Sequence, residues 1–265
     1  MRRLRLGMMA GGVDPAAAFL AAAGITDPTI TAAINTLVSD LVGYGIWNKM
    51  LAIYPFVGGT AATHKFNLKD PQDTNAAFRL AFAGGWTHSA NGALPNGTNA
   101  YAETYINTFS LFTPGNGHFG VYSRTIYSGA AADLYLIGNT QAGVGNTAIN
   151  NYLPTQTFCT MGGILVNFLD LPMTNTAGFF QLNNLSGSQS VRRNATSLGS
   201  NTNTSGVFPN RTLWLAARNT DIGAAGYSAY EQAFASVANV GLTNTELANY
   251  YTAVQAFQTT LGRQV

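Results

Sequence analysis

Charge is scarce in this sequence. Only 9% of its 265 residues are Asp, Glu, Lys or Arg, against roughly a quarter in an average soluble domain. Asn, Thr, Gly and Ser stand where Lys and Glu usually do. A surface hydrated by amides and hydroxyls repels its own copies weakly. That fits a repeated assembly or an extracellular particle better than an enzyme of the crowded cytosol. Thirteen basic and eleven acidic side chains leave a net charge of +2. The basic residues are scattered, with no stripe interleaved by aromatics, so the body of the chain lacks a nucleic-acid footprint. The one basic cluster is Arg2, Arg3 and Arg5. It reads either as a solvated tail or as an arm that touches nucleic acid or an acidic partner.

Other absences narrow the field further. The lone cysteine, Cys159, excludes an internal disulfide, and between Phe158 and Met161 it reads as a small core residue rather than a nucleophile. No apolar run reaches the roughly 18 residues of a membrane-spanning helix. The first two dozen residues imitate a signal peptide in their arginines, but Gly11, Gly12, Asp14 and Pro15 interrupt the apolar stretch. They are expected to be mature sequence, with exit from the cell, if any, by a route other than secretion.

What is present divides into three textures. Residues 13–57 read as helical. Asp14 caps a helix with Pro15 at its first position and Gly24 at its stop, and Asp27 with Pro28 repeats the device. Ile30, Ile34, Leu37, Val38, Leu41 and Val42 then mark one helical face, and Ile46, Trp47, Met50, Leu51 and Tyr54 continue an apolar face to Gly58 and Gly59. From Thr63 to about Val240, short alternating segments lie between clusters of Gly, Asn, Pro and Ser. His64–Leu68, Phe78/Leu80/Phe82, Leu134–Ile137, Ile164/Val166/Phe168, Gly178–Leu182 and Leu213/Leu215/Ala217 are candidate strands. Leu94–Gly97, Gly115–Gly117, Asn183–Ser188 and Gly199–Gly206 are the joints. Many short strands with such turns predict a mostly β fold, an antiparallel sandwich or barrel; a parallel α/β sheet would need helices between strands. The end is helical again. Thr243 and Glu246 form a capping box, Leu247, Tyr250, Val254, Phe257 and Leu261 make a stripe, and Gly262 stands where a C-cap belongs.

Several segments resemble known proteins. The run Arg211-Thr-Leu-Trp-Leu-Ala-Ala-Arg-Asn219, then Glu231–Val237 and the helix opened by Thr243-Asn-Thr-Glu246, looks like the closing section of laminin-G-like, concanavalin A-like sandwiches. Ile46–Val57, Gly84–Gly97 and Tyr251–Val265 resemble segments of virion proteins of tailed bacteriophages. The match covers the two ends, through about residue 105 and from about 211, while the middle diverges. The resemblance implies a jelly-roll sandwich with N-terminal helices and a C-terminal helix, on a particle-surface or appendage protein assembled in the host and released by lysis. It transfers no active site. Residues 1–62 are then expected to be an arm and helical region that serves as a virion anchor, and residues 63–265 the sandwich.

Enzymatic chemistry finds little footing. Glycosidases of this fold shape need two carboxylates about the scissile bond, and the E-x-D-x-x-E strand pattern of glucanase relatives is absent. Glu103, Asp133, Asp170 and Glu231 are isolated, while Asp70 and Asp73 flank Pro71 in a turn; a pair assembled only by folding stays open. His64, His88 and His118 are 24 and 30 residues apart, without metal-ligand spacing, and read as ordinary strand or loop histidines. The calcium site of laminin-G-like lectins draws on loops, and the resemblance makes Asp133 and Asp221 the acids to inspect. Gly115-Asn-Gly-His-Phe-Gly120 spells a dinucleotide fingerprint but runs into the strand-like Val121–Arg124 instead of a helix, so its glycines read as a hairpin turn. No catalytic residue, resident metal or cofactor is expected. Trp86, Tyr101, Tyr122 and Trp214 offer flat rings for a sugar, with core packing the competing role for each. The expected partners are other virion proteins, further copies of the chain (a trimer first) and a host-surface glycan, with no membrane and no nucleic acid on the body.

Overall fold

A computed structural model describes residues 14–127, 133–152, 156–162, 167–173, 175–204 and 207–265. The arginines at 2, 3 and 5, the strand positions Ile164 and Val166, and Ser205 and Gly206 of one joint lie outside the described residues. Five helices are described: α1 (Pro15–Ala22), α2 (Pro28–Gly43), α3 (Ala61–His64), α4 (Thr108–Leu111) and α5 (Asn244–Thr260). Strands β1 (Met50–Tyr54), β2 (Ala81–Ala83), β3 (Trp86–Ser89), β4 (Gly92–Pro95), β5 (Tyr101–Asn107) and β6 (Gly117–Ser123) fill the first half. They are followed by β7 (Asp133–Gln141), β8 (Gly145–Tyr152), β9 (Gln156–Met161), β10 (Leu169–Pro172), β11 (Gly178–Leu185) and β12 (Ser188–Arg193). Last come β13 (Thr196–Thr202), β14 (Thr212–Leu215), β15 (Arg218–Thr220), β16 (Gly223–Ala225) and β17 (Gln232–Ala238).

The strands form two antiparallel sheets, as the sequence texture predicts. The first runs β13-β12-β11-β6-β17-β4-β3, with β1 also on β17; the second runs β10-β9-β8-β7-β14-β5-β2, with the β15–β16 hairpin against β7. One contact, β15 on β7, is parallel. Between the sheets lies a core of Phe119, Val121, Leu136, Ile137, Ile149, Phe180, Leu182, Leu213, Leu215 and Val237. A second core fills the other face of the first sheet, where Phe179 and Phe234 meet Phe19, Ile34 and Leu41 of the N-terminal helices and Tyr250, Val254 and Phe257 of α5. The molecule is therefore three layers: helices, sheet, sheet. Among the described residues no helix is long and apolar enough to cross a membrane.

The helix signals act as expected. Asp14 accepts from Ala16 N, and Asp27 from Thr29 N and Ile30 N. Thr243 and Glu246 close a capping box, with Gly262 left-handed just beyond Leu261. Glu246 also binds Lys49 Nζ at 2.6 Å, tying α5 to the turn before β1.

Several expectations are corrected. Met50, Leu51 and Tyr54 lie on a strand, not a helix. Met50 and Ile53 face the helical core and Ala52 and Tyr54 the inter-sheet core, and a strand buried on both faces carries no polar alternation. His64–Leu68 is no strand: His64 ends α3, and the Asn67 side chain stands in for a ladder partner, accepting from Ile53 N and donating to the carbonyls of Leu51 and Ala77. Phe78 is left-handed at the end of a 3-10 turn, so only Ala81–Ala83 of the Phe78/Leu80/Phe82 segment is extended. Arg211–Asn219 is broken by left-handed Ala216 (φ 64°) into β14 and β15. Gly199 belongs to β13, and the Gly115 turn joins α4 to β6 rather than closing a hairpin.

The three virion-like segments converge. Ile46–Val57 supplies β1, Gly84–Gly97 supplies the β3–β4 hairpin, and Tyr251–Val265 supplies most of α5 and the chain end. Arg263, 1% exposed, joins them. Its guanidinium donates to the carbonyls of Pro55, Phe56, Ala90 and Ala233 and to Gln258 Oε1. These segments are scaffold.

Candidate functional site

The outer face of the second sheet carries the most distinctive chemistry. Strand β5 alternates in an inverted sense: small or aliphatic Ala102, Thr104 and Ile106 are buried, while Tyr101, Glu103, Tyr105 and Asn107 face outward half-buried. On its neighbour β14, Leu213 and Leu215 enter the core, leaving Thr212 and Trp214 outward. Register places Glu103 between Ala81 and Trp214, and Trp214 opposite Gly138, which is itself opposite Ala148. The indole thus stands in a row between Glu103 and the buried Gly138, with the Tyr135 ring packed against that glycine.

Tyr101 lies diagonal to Trp214, and the two rings stack with centroids 4.0 Å apart and planes 13° from parallel. Glu103 fixes the arrangement. One carboxylate oxygen accepts from the indole Nε1 of Trp214, and the other accepts from the backbone N–H of Tyr105 at 2.9 Å. Tyr105 is left-handed, with φ 60° inside a strand. Five residues of β5, from Glu103 to Asn107, stand against three of β14, from Trp214 back to Thr212, and the Thr104 hydroxyl fills the gap by donating to the Leu213 carbonyl. A left-handed bulky residue costs on the order of 1–3 kcal/mol and persists only where neighbours over-determine it. Here the bulge turns an extra phenol outward beside the stacked pair.

The open edge beside this face is plugged by rings from the other sheet. Phe82 meets Trp86 and His88 edge-on, and Trp86 donates its Nε1–H to the carbonyls of Ala83 and Tyr101. His88 Nδ1 lies 2.9 Å from His64 Nδ1, a hydrogen bond that requires one ring to be the donor and the other the acceptor. Both rings are pushed toward the neutral form. Burial first, then His88, then Arg263 hold His64 down at about 3, and burial lowers His88. Chain spacing gave no sign of this pair, because the fold, not the sequence interval, brings the two together.

Of the four rings expected to offer a stacking face, Tyr101 and Trp214 come together, and Trp86 supports them from behind. Tyr122 lies apart, buried in the first sheet with its hydroxyl near Gln255 and Val265. His118 is wholly buried under α5, with a pKa held down at about 3 by burial. The thiol of Cys159 is buried in the inter-sheet core, and burial pushes it up to about 12.

The acids are distributed among separate partners. Asp133 accepts from Asn150 Nδ2 at the start of β7, whereas Asp221 binds Arg211 and the N–H of Ala142 just past its end, and these bonds lower its pKa. The two acids inspected for calcium thus stand at opposite ends of a nine-residue strand. That is about 25 Å at the usual rise per residue. Glu231 pairs with Arg124, and Asp73 with Lys65 and Arg79. Among the described residues no three His, Cys, Asp or Glu side chains gather in a metal-holding group.

The fold has known counterparts. The binding domain of botulinum neurotoxin serotype D superposes with a TM-score of 0.53 at 9% identity, over 78% of this chain and 52% of that one. The binding domain of botulinum neurotoxin DC, solved with rat synaptotagmin II, gives 0.52 at 8%, over 79% and 52%. A Trypanosoma rangeli sialidase mutant displaying trans-sialidase activity gives 0.53 at 11%, over 87% of this chain and 39% of that one. The chain thus spans about half the length of the toxin domains, and at these identities the likeness is one of fold. No protein-family model matches the sequence, and no curated protein does.

Proposed function

We propose that the chain is a non-enzymatic binding module displayed on the surface of a tailed-bacteriophage particle, and that it holds a glycan of the host envelope on the face built by Tyr101, Trp214, Glu103 and Tyr105. The observation that carries the binding role is the stacked Tyr101–Trp214 pair on an outward strand face, where the same rings would lower the free energy of the fold more by pointing inward. Sugars present apolar C–H faces to aromatic rings and hydroxyls to amides and carboxylates. The likeness in fold to toxin binding domains fits this reading.

The particle role rests on the three virion-like segments and on a composition with only 9% charged residues. Their meeting at Arg263 makes them one scaffold. In this reading residues 1–62 include the anchor, copies assemble as a trimer, and the protein reaches its place in the host cytoplasm before lysis.

A glycan array probed with the full chain tests the binding role, with Trp214→Ala and Tyr101→Ala as controls. Binding that falls at least tenfold in both variants, with the melting temperature kept, is the expected result. An array without a positive removes the glycan role, and immunogold labelling that leaves intact particles bare removes the virion role. Light scattering of a stable monomer at high concentration removes the trimer.

A further inference from the structure

We infer that this face selects uncharged polysaccharide chains over anionic ones, and that Glu103 sets the selection. The inference rests on the glycan-binding reading above and narrows it. The outward residues of β2, β5 and β14 are Ala81, Ala83, Tyr101, Glu103, Tyr105, Asn107, Thr212 and Trp214, and Glu103 carries their one formal charge. It stands in the same cross-strand row as the indole, so a sugar laid on the rings lies within a few ångströms of a carboxylate. The carboxylate is pinned by the Trp214 and Tyr105 donors, and among the described residues no cation lies within ion-pairing distance of it.

The cations nearby are committed elsewhere. Arg79, in the approach to β2, binds Asp73, and Arg211 binds Asp221. Arg218, whose backbone also pairs at Gly138, directs its guanidinium at Tyr135, 5.0 Å from the ring centroid with a 2.9 Å bond to the phenol oxygen. A carboxylated or sulfated sugar on the rings would therefore meet like charge, with Arg79 and Arg211 already paired to acids and Arg218 turned to Tyr135, whereas each oxygen of Glu103 keeps a lone pair for a sugar hydroxyl. Ala81, beyond Glu103 in the same row, keeps the surface low on that side of the indole, whereas Gly138 and Ala148 on the other side are buried, with the Tyr135 ring against Gly138. The low side leaves room for a chain to run on past the rings.

Matched backbones separate the claims. The full chain is titrated by calorimetry against dextran and carboxymethyl dextran, hydroxyethyl cellulose and carboxymethyl cellulose, and a neutral and a glucuronic-acid-bearing xylan. The expected result is binding to at least one neutral member, at least tenfold weaker binding to its anionic partner, and affinity for the neutral member that is flat in salt, since screening acts only on charge. Glu103→Gln should raise the anionic-to-neutral affinity ratio several-fold whatever it does to absolute affinity, a shift that a purely structural role for Glu103 would not produce. Equal or tighter binding of an anionic partner overturns the selection and leaves the glycan role standing. Binding that survives both Trp214→Ala and Tyr101→Ala places the ligand elsewhere and overturns the selection together with the site. Silence across all six polymers overturns both the selection and the glycan-binding reading.

Discussion

Replacing Arg263 with alanine removes the one side chain that touches all three scaffold segments. Its five hydrogen bonds have donor–acceptor distances between 2.6 and 3.4 Å. At about 1.5 kcal/mol for each bond from a charged donor, they contribute roughly 7 kcal/mol. Against this, burial lowers the Arg263 pKa from its ordinary value to about 9, a desolvation penalty of about 5 kcal/mol at 1.36 kcal/mol per pH unit that the variant escapes. The variant also leaves the buried carbonyls of Pro55 and Phe56 short of a donor, at about 1 kcal/mol each where water cannot enter, while that of Ala233 keeps Gln258. The expected net loss is roughly 2–4 kcal/mol, near the range for breaking a buried charged network. In a chain of this size that is a fall on the order of 10 °C in melting temperature. Urea denaturation followed by tryptophan fluorescence measures it. Arg263→Met is the sharper control, because it keeps the stem that packs over Phe257 and removes only the donors. If alanine and methionine both stay within about 1 kcal/mol of wild type, the guanidinium is not what joins the segments.

Acid should destabilise the fold well before its carboxylates titrate. His64 and His118 have folded pKa values of about 3 against 6.5 unfolded, so below pH 6.5 the unfolded chain binds protons that the fold refuses, and stability falls until about pH 3. At pH 5 the two together remove on the order of 4 kcal/mol; a stability profile flat from pH 7 to 5 would contradict this. Gly120→Ala puts a methyl group 2.7 Å from Ser236 Oγ and 2.8 Å from the Phe179 ring, and denaturation should register about 1–3 kcal/mol of overpacking. A maleimide reagent should leave Cys159 unlabelled in the native protein and label it promptly in urea, since the thiol is buried and un-ionised; native labelling at the denatured rate would refute the packing described. Glu246→Ala removes both half of a capping box and the Lys49 bond and should lower stability by about 1–2 kcal/mol by calorimetry.

The helices α1, α2 and α5 are legible in the sequence because their ends carry local chemistry: Asp with Pro, Thr with Glu, and a terminal Gly. Strands such as Thr212–Leu215 are legible where one face is apolar. β1 hides because both its faces are buried, and β5 hides for the opposite reason. Its large aromatics face outward and its small residues inward, so an eye trained on apolar-in alternation passes over it. Trp214 on the polar phase of an alternating strand, between inward Leu213 and Leu215, is the signal that could have found the site. Its stacking partner stands 113 residues earlier in the chain, aligned through a bulge that no local pattern announces. The glycines beside Trp86 were more readable. A Cβ at Gly84 would come within 2.1 Å of the Asn99 carbonyl oxygen, and one at Gly85 within 2.4 Å of Asn96 Nδ2, the close backbone approach their presence implies.

The position of β17 sets a timetable for synthesis. Gln232–Ala238 is the strand that β1, β4 and β6 all need, and it emerges from the ribosome some 180 residues after Met50–Tyr54. At about 5–20 residues per second, those earlier strands wait on the order of ten seconds or more with open edges that any neighbouring nascent chain could pair with. A polypeptide interrupted between residues 215 and 231 holds all the aromatic residues of the binding face yet no closed sheet behind them. Its fate is to aggregate or to be held by a chaperone.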